Sequence, residues 1–502
     1  MEPLPHRQVV PIHLLEHLAA CDSLGPAPTR LSPNLPERGL PETDLPEPAR
    51  PGPAGQFTPA ERSRIAEAAR RTLLLDRALR HGPLETPVET TEPPLPGGAH
   101  GPVRVVSDAA HSEFLPGTTV RTGAGRSPEE EHAGLSLSEA CPEAAERAFE
   151  ALGAARDCLS DMARIVDGLE ALKTFSAGPA AAGPGATVDP WAVADPWAVA
   201  GPWAASPFPG GEVSPIGEKA LERAVGRLPL QATVRFGNGY QNAFRAGTAV
   251  VLGEGDGLVF GCLAASPGVV GHALAHGLLR HAGTAEAGPP YGGARHEVGT
   301  GHGSGTGGES GTAYGSGVGH DGGQPGALRV SFADVVGVLV EQHAAGHTAD
   351  QASWLLGEGL FTDRVGARAL RSLAAPGTAY NDPLMGRDLQ PDHMDGYLEA
   401  VAGHGAHLNA GIPNRAFHLA ATALGGYAWE RAGAIWLAAA LSRPLPADAG
   451  FALFARRTVH EAGRLFGAKS TEQSAVRAAW AAVGVPAGTR TGAGPARAGA
   501  AL

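Results

Sequence analysis

Cysteine is scarce in this chain of 502 residues: Cys21, Cys141, Cys158 and Cys262 are the only four, and none stands in C-x-x-C spacing. That excludes a disulfide framework, though it leaves room for one bridge. Long apolar runs are missing too. None reaches the roughly 18 residues that a membrane span needs, so no membrane partner is expected. Met1 to Ala20 carries prolines, histidines and Glu16 where an export signal needs an apolar stretch. The direct expectation is residence in the cytoplasm or non-classical export. A basic surplus is also lacking. The formal net charge is -12 and the sequence pI about 5.9, so no nucleic-acid partner is expected, because neutralising phosphates requires a basic face.

Glycine (71) and proline (43) are abundant, which points to long linkers between ordered parts. Residues 9–20, VVPIHLLEHLAA, form a short amphipathic patch, and Thr58-Pro59-Ala60-Glu61 opens a helix running to Arg80. The rest of residues 1–100 is expected to be mostly disordered. Residues 103–106 and 118–122 read as strands and 138–166 as a helix. Asp189-Pro-Trp-Ala-Val-Ala repeats from Asp195 and decays at Gly201, which sets Trp191, Trp197 and Trp203 in an insertion spanning 170–226. Residues 232–236 and 249–252 read as the two strands of a hairpin. A Gly/Ser/His-rich insertion fills 284–323. Helices are expected over 327–345, 349–357, 415–425, 427–442, 450–467 and 470–483, and a disordered tail over 487–502. Strands first and helices afterwards imply an α+β domain over 101–283 and an all-α domain over 324–486.

Where those parts meet, Gly-His-Ala-Leu-Ala-His-Gly at 271–277 places His272 and His276 four apart in an apolar run. Both imidazoles then project from one helix face, as in half of a zinc site. The usual protease helix, H-E-x-x-H, carries its general base where this chain has Ala273.

Several further blocks fall in an order that resembles the thermolysin family of neutral metallopeptidases, protealysin branch. They are Asn242-Ala243-Phe244, Gly255-Asp256-Gly257, VVGHALAHG at 269–277, GALRVSFADVVG at 326–337, Ala369 to Pro376, and HLNAGIPNRAFHLAATALGG at 407–426. The patch at 9–20 is similar to the short propeptide motif of that branch. The resemblance implies a two-domain thermolysin-like α+β fold, with the histidine helix at the interdomain cleft, and peptide-bond hydrolysis by zinc-bound water. It makes His272 and His276 zinc ligands, Asp334 the carboxylate that orients an imidazole, and His407 the residue that supports an oxyanion. Asn242, Ala243 and Arg371 become residues that hold substrate backbone, although Arg371 reads equally well as a buried ion-pair partner. Family members usually work outside the cell.

The same resemblance exposes departures. The third ligand position is Val330, the general-base position is Ala273, and the Asp that orients the oxyanion histidine falls at Ala402. Zinc is therefore expected to be weak or absent. In the family's calcium cluster Glu341 and Glu358 persist, but Gly268, Ser353 and Leu355 replace other acidic positions, so calcium is doubtful. The leading expectation is a pseudoprotease whose cleft binds a peptide, a partner protein or its own N-terminal segment. One alternative is an active enzyme rebuilt with His296, His302, Glu309, His320 or Asp321. The other is an interaction protein acting through its Trp repeat and Pro-rich segments.

Overall fold

The computed structural model describes residues 8–22, 57–81, 104–123, 142–176, 220–283, 323–399 and 405–487, less 114, 116, 227, 247, 248, 443, 444 and 447. The Trp repeat, the His-rich insertion and Ala402 lie outside the described residues.

A five-stranded sheet forms the strand-bearing half. Its strands are β1 (Arg104–Asp108), β2 (Thr118–Gly123), β3 (Leu230–Val234), β4 (Ala243–Ala246) and β5 (Ala249–Leu252), in the spatial order β2-β1-β3-β5-β4. The expected hairpin between residues 232–236 and 249–252 is replaced by a parallel pairing, Gln231 beside Ala249 and Thr233 beside Val251. The antiparallel partner of β5 is β4. Arg245 interrupts the apolar pattern of β4 and hides it from a periodicity reading, yet that side chain is buried. It lies against Gly277, where a Cβ would stand 2.2 Å from the guanidinium carbon. β4 is the sheet's edge, so its outer backbone groups are open to another strand.

A long helix, Pro142–Ser176, crosses behind the sheet and continues past the expected start of the insertion at 170. Phe149 on it is fully buried, with the guanidinium groups of Arg104 and Arg121 stacked on its ring at 3.8 and 4.3 Å. The second half is helical. It comprises Gly323–Ala345, Gly405–Asn409, Gly411–Leu424, Ala434–Leu441, Phe451–Phe466 and Thr471–Ala482. Trp436, Trp480, Phe417 and Phe454 form its aromatic centre. This is the α+β, two-part architecture expected above.

The helix expected over 349–357 does not form. Trp354 takes a left-handed φ of 56° while its indole N–H donates to the Ala349 carbonyl at 2.8 Å. The chain leaves that turn extended, and Leu355–Leu356 pairs with Arg371–Ser372. Apolar content suggested a helix there, but the turn and the pairing determine the backbone. The pairing places Arg371 in the interior, where it is buried.

Two stretches of the N-terminal segment are helical. Ile12–Ala19 buries Ile12, Leu14, Leu15 and Leu18. Pro59–His81 begins with a capping box in which the Glu61 N–H donates to Thr58 Oγ1 and the Thr58 N–H to Glu61 Oε2.

The histidine helix, Pro267–Gly283, packs closely along Gly323–Ala345 because small residues line the contact. A Cβ at Gly337 would stand 2.5 Å from the Gly268 carbonyl oxygen, and one at Gly271 would stand 2.9 Å from Val340 Cγ2. Backbone cannot yield as a side chain can, so Gly337→Ala forces the two helices apart. Its expected cost is about 1–3 kcal/mol, measured as a lower urea midpoint with an unchanged m-value.

Candidate functional site

The site grows from one buried carboxylate. Asp334 sits on Gly323–Ala345 with no exposed surface. Its Oδ2 accepts from Arg371 Nε at 2.9 Å and its Oδ1 from Arg371 Nη2 at 2.8 Å, a two-pronged ion pair. Asn414 Nδ2 donates to Oδ2 at 2.9 Å. His272 Nδ1 lies 2.9 Å from Oδ1. Burial alone would raise this carboxyl's pKa, but the charge of Arg371 and the contact with His272 outweigh it and hold it well below the usual range.

His272 is likewise buried, and that burial lowers its pKa against the opposing pull of Asp334. The imidazole is neutral at pH 7. Its Nε2 points to Nε2 of His276 at 3.2 Å, with the rings edge-on at 4.9 Å. The helical spacing of four thus brings two imidazole nitrogens together, and Asp334 sets the tautomer of one of them. Val330, one turn before Asp334, packs with Ala406 and Ala410 in a small apolar cluster. Ala273 is fully buried. Among the described residues no group of three or more His, Cys, Asp or Glu side chains converges on one point.

Opposite the histidine pair, the chain's own N-terminus runs beside β4. The Val9 N–H donates to the Ala243 carbonyl at 3.0 Å, and the Val10 N–H donates to Asn242 Oδ1 at 2.8 Å. Arg371 Nη1 donates to the Val9 carbonyl at 2.9 Å. His407 Nε2 lies 2.9 Å from the Gln8 carbonyl. Burial, followed by the charge of Arg371, pushes the His407 pKa down to about 3. A neutral imidazole can only donate to a carbonyl oxygen, so Nε2 carries the proton. Asn242, Ala243, Arg371 and His407, chosen from the sequence, therefore converge on three successive residues. Both readings of Arg371, ion pair and backbone donor, describe bonds that it makes at once.

A contributor that the sequence did not reveal is Asp76, on Pro59–His81. It is fully buried and accepts from Asn242 Nδ2 at 3.1 Å and from the Tyr240 hydroxyl. Nearby, Thr72 Oγ1 accepts the Gln241 N–H at 3.0 Å. With its Nδ2 held by Asp76, the amide of Asn242 is oriented so that Oδ1 faces the Val10 N–H. Asp76 is one of three acids on that helix, with Glu61 and Glu67, and no local pattern separates it from them.

Glu341 occupies the other acidic position of interest. Its Oε1 accepts from Ser266 Oγ at 2.7 Å and from the Gly268 N–H at 3.2 Å. Burial pushes its pKa up to about 7. A Cβ at Gly268 would stand 2.4 Å from that oxygen, so the carboxyl fills the room that a side chain at 268 would occupy.

Two measurements check this electrostatic picture. Arg371→Leu leaves Asp334 buried without its cation and is expected to cost about 3–5 kcal/mol, much of it recovered in Arg371→Leu/Asp334→Leu by urea unfolding. His418, edge-on to Trp354 at 4.8 Å, has its pKa pushed down to about 3 by burial and then by Arg415. A histidine held neutral in the fold contributes stability that is full above the unfolded value of about 6.5 and is lost as pH falls toward 3. Between pH 6.5 and 4.5 that loss is roughly 2–3 kcal/mol, and His418→Gln is expected to flatten this acid limb.

Comparison with known proteins gives a consistent result. Residues 224–280 match the family model "Thermolysin metallopeptidase, catalytic domain", and residues 321–485 match "Thermolysin metallopeptidase, alpha-helical domain". An extracellular metalloprotease of Pectobacterium carotovorum subsp. carotovorum is 40% identical over 259 residues, covering 51% of this chain and 64% of that protein. Protease PrtS of a Photorhabdus species is 37% identical over 261 residues, covering 51% of this chain and 61% of its own length. The chain thus spans less than two thirds of either relative. The solved precursor of protealysin, a metalloproteinase from Serratia proteamaculans, superposes with a TM-score of 0.57 at 29% identity, over 96% of this chain and all of that one. Among the described residues no helix is long and apolar enough to cross a membrane.

Proposed function

The chain belongs to the thermolysin family of metallopeptidases, and from that premise we propose that it is a non-hydrolytic member whose cleft is held by its own N-terminal segment. The observation that carries the reading is the set of bonds from Asn242, Ala243, Arg371 and His407 to residues 8–10. Groups suited to gripping a peptide backbone grip this one.

The residues around the histidine pair do not fit the zinc centre that the family implies. Catalytic zinc is held by three protein ligands, with water in the fourth position. His272 and His276 offer two nitrogens 3.2 Å apart, near enough to share one cation. Val330 presents an isopropyl group to an alanine-lined pocket and adds no donor. Nothing at Ala273 can accept a proton from water, and loss of a general base costs on the order of 10² to 10⁴ in rate. The two replacements support each other physically. A carboxylate buried in this pocket without a metal would carry a large desolvation penalty, whereas a methyl and an isopropyl group carry none. Weak calcium binding follows from similar reasoning, because one Glu341 oxygen is already committed to Ser266 and Gly268, while a hard cation seeks six to eight oxygens.

The test is zinc content of the full chain, purified in zinc-containing buffer and dialysed, together with hydrolysis of an unfolded protein substrate. The expected result is well under one zinc per chain and no cleavage above the buffer blank. Stoichiometric zinc with hydrolysis abolished by a chelator would overturn the reading.

A further inference from the structure

We propose that a cavity beside the helix Pro59–His81 is a binding site for a small zwitterion, a free amino acid or a short peptide with both termini uncapped. Binding there needs neither zinc nor hydrolysis. The cavity shares none of its lining residues with the histidine pair or with the groups that hold residues 8–10.

The cavity encloses about 460 Å³. Strands β1, β3 and β5 lie parallel, so their carboxyl ends fall on one side of the sheet. The chain leaving each of them reaches the cavity: His111 after β1, Asn238 and Gly239 after β3, and residues 254–258 after β5. The crevice outside the carboxyl ends of parallel strands is where open α/β sheets place their ligands. The helix closes the opposite side with Arg64, Glu67, Ala68 and Arg71, whose spacing puts them on one face. Contacts at the edge of the cavity set its width. The Gln241 N–H donates to Thr72 Oγ1 at 3.0 Å, and a Cβ at Gly239 would lie 3.7 Å from Ala68 Cβ.

The rim at His111 is strained and held. Ala110, His111 and Arg235 take left-handed φ angles of 50°, 66° and 51°, a conformation that side-chain-bearing residues rarely adopt and that gathers at ligand clamps. Asp108 fixes two of them: its Oδ1 accepts the Ala110 N–H at 2.8 Å and Arg235 Nε at 2.9 Å. The His111 N–H in turn donates to the Arg235 carbonyl at 2.9 Å. Three uncommon backbone conformations thus present one imidazole at the mouth of the cavity.

The lining decides the class of ligand. Among its side chains only Ala68 and Leu258 are apolar, so an oily ligand finds little to cover it. Both charges are present, and a ligand of one sign would meet its like. Asp256 is committed to the fold, because its Oδ1 accepts the N–H groups of Leu258, Val259 and Phe260 and its Oδ2 accepts Gln241 Nε2 at 2.8 Å. Glu67 and Arg71 pair with each other on the helix surface. Arg64 and the Asn238 side chain have no hydrogen-bond or ion-pair partner among the described residues, and both are donors. Glu254 meets only the His111 ring there, with Nδ1 3.4 Å from Oε2. The uncommitted groups are therefore a cation with an amide, which match a carboxylate, and a carboxylate, which matches an ammonium.

The experiment is titration calorimetry of the full chain at neutral pH with alanine, trialanine, N-acetyl-trialanine and trialanine amide. One-to-one binding of alanine or trialanine is expected, and whichever binds tighter identifies the source as amino acid or peptide. Either cap is expected to weaken trialanine about tenfold or more, since each removes a hydrogen-bonded charge. Arg64 and Glu254 both reach the surface, so their neutral variants keep the fold. Arg64→Gln is expected to weaken trialanine but not trialanine amide, whose carboxylate is already gone. Glu254→Gln is expected to weaken trialanine but not N-acetyl-trialanine. Saturating ligand is also expected to slow amide exchange along Pro59–His81, because only the packed helix completes the site. Equal binding of capped and uncapped forms would overturn the proposal, as would binding indifferent to both substitutions or no binding at millimolar concentration.

Discussion

Everything at the centre of this molecule depends on the charge of Asp334. A lone carboxylate with no exposed surface would carry a cost of several kcal/mol, and the fold meets that cost with Arg371, Asn414 and His272 together. Each partner comes from a different element: a short strand, the helix Gly411–Leu424 and the histidine helix. Satisfying one charge therefore fixes three elements against a fourth. Because Arg371 has a nitrogen left over for the Val9 carbonyl, it also ties the N-terminal segment to the same point.

The N-terminal segment is held from two sides. Toward the helical half it meets Arg371 and His407. Toward the sheet it meets Asn242, whose amide is set by Asp76 on the helix Pro59–His81. Surface ion pairs from Arg70 to Asp22 and from Arg364 to Glu61 at 2.9 Å join the same parts, but exposed pairs of this kind contribute at most about 1 kcal/mol. The buried bonds and the apolar face of Ile12–Ala19 dominate. The first eighty residues are thus part of the packed structure wherever they are described.

The apolar side chains at 273 and 330 and the polar ones at 242, 371 and 407 follow one physical logic. Ala273 and Val330 sit where burial penalises charge, while the polar groups of Asn242, Arg371 and His407 each have a hydrogen-bonded partner. Glu341 is the intermediate case, an acid whose pKa burial raises to about 7 and which Ser266 and Gly268, rather than a cation, bond.

The sequence by itself determined the fold class, the histidine pair and the apolar residues at 273 and 330, because colinear motifs and a spacing of four are local properties. Asn242, Ala243, Arg371 and His407 were legible in the same way, as matches to blocks. Only the tertiary structure decided what they touch. Nothing in a linear reading brings Gln8 to His407 or Asp76 to Asn242, since such contacts close loops of hundreds of residues. Local pattern also misled where long-range pairing prevailed. Residues 349–357 are apolar enough for a helix, but the left-handed turn at Trp354 and pairing with Arg371–Ser372 make them extended. Strands β3 and β5 alternate like a hairpin yet lie parallel, because β4 stands between them in the chain and pairs antiparallel with β5; Arg245 hides β4 from a reading of the pattern.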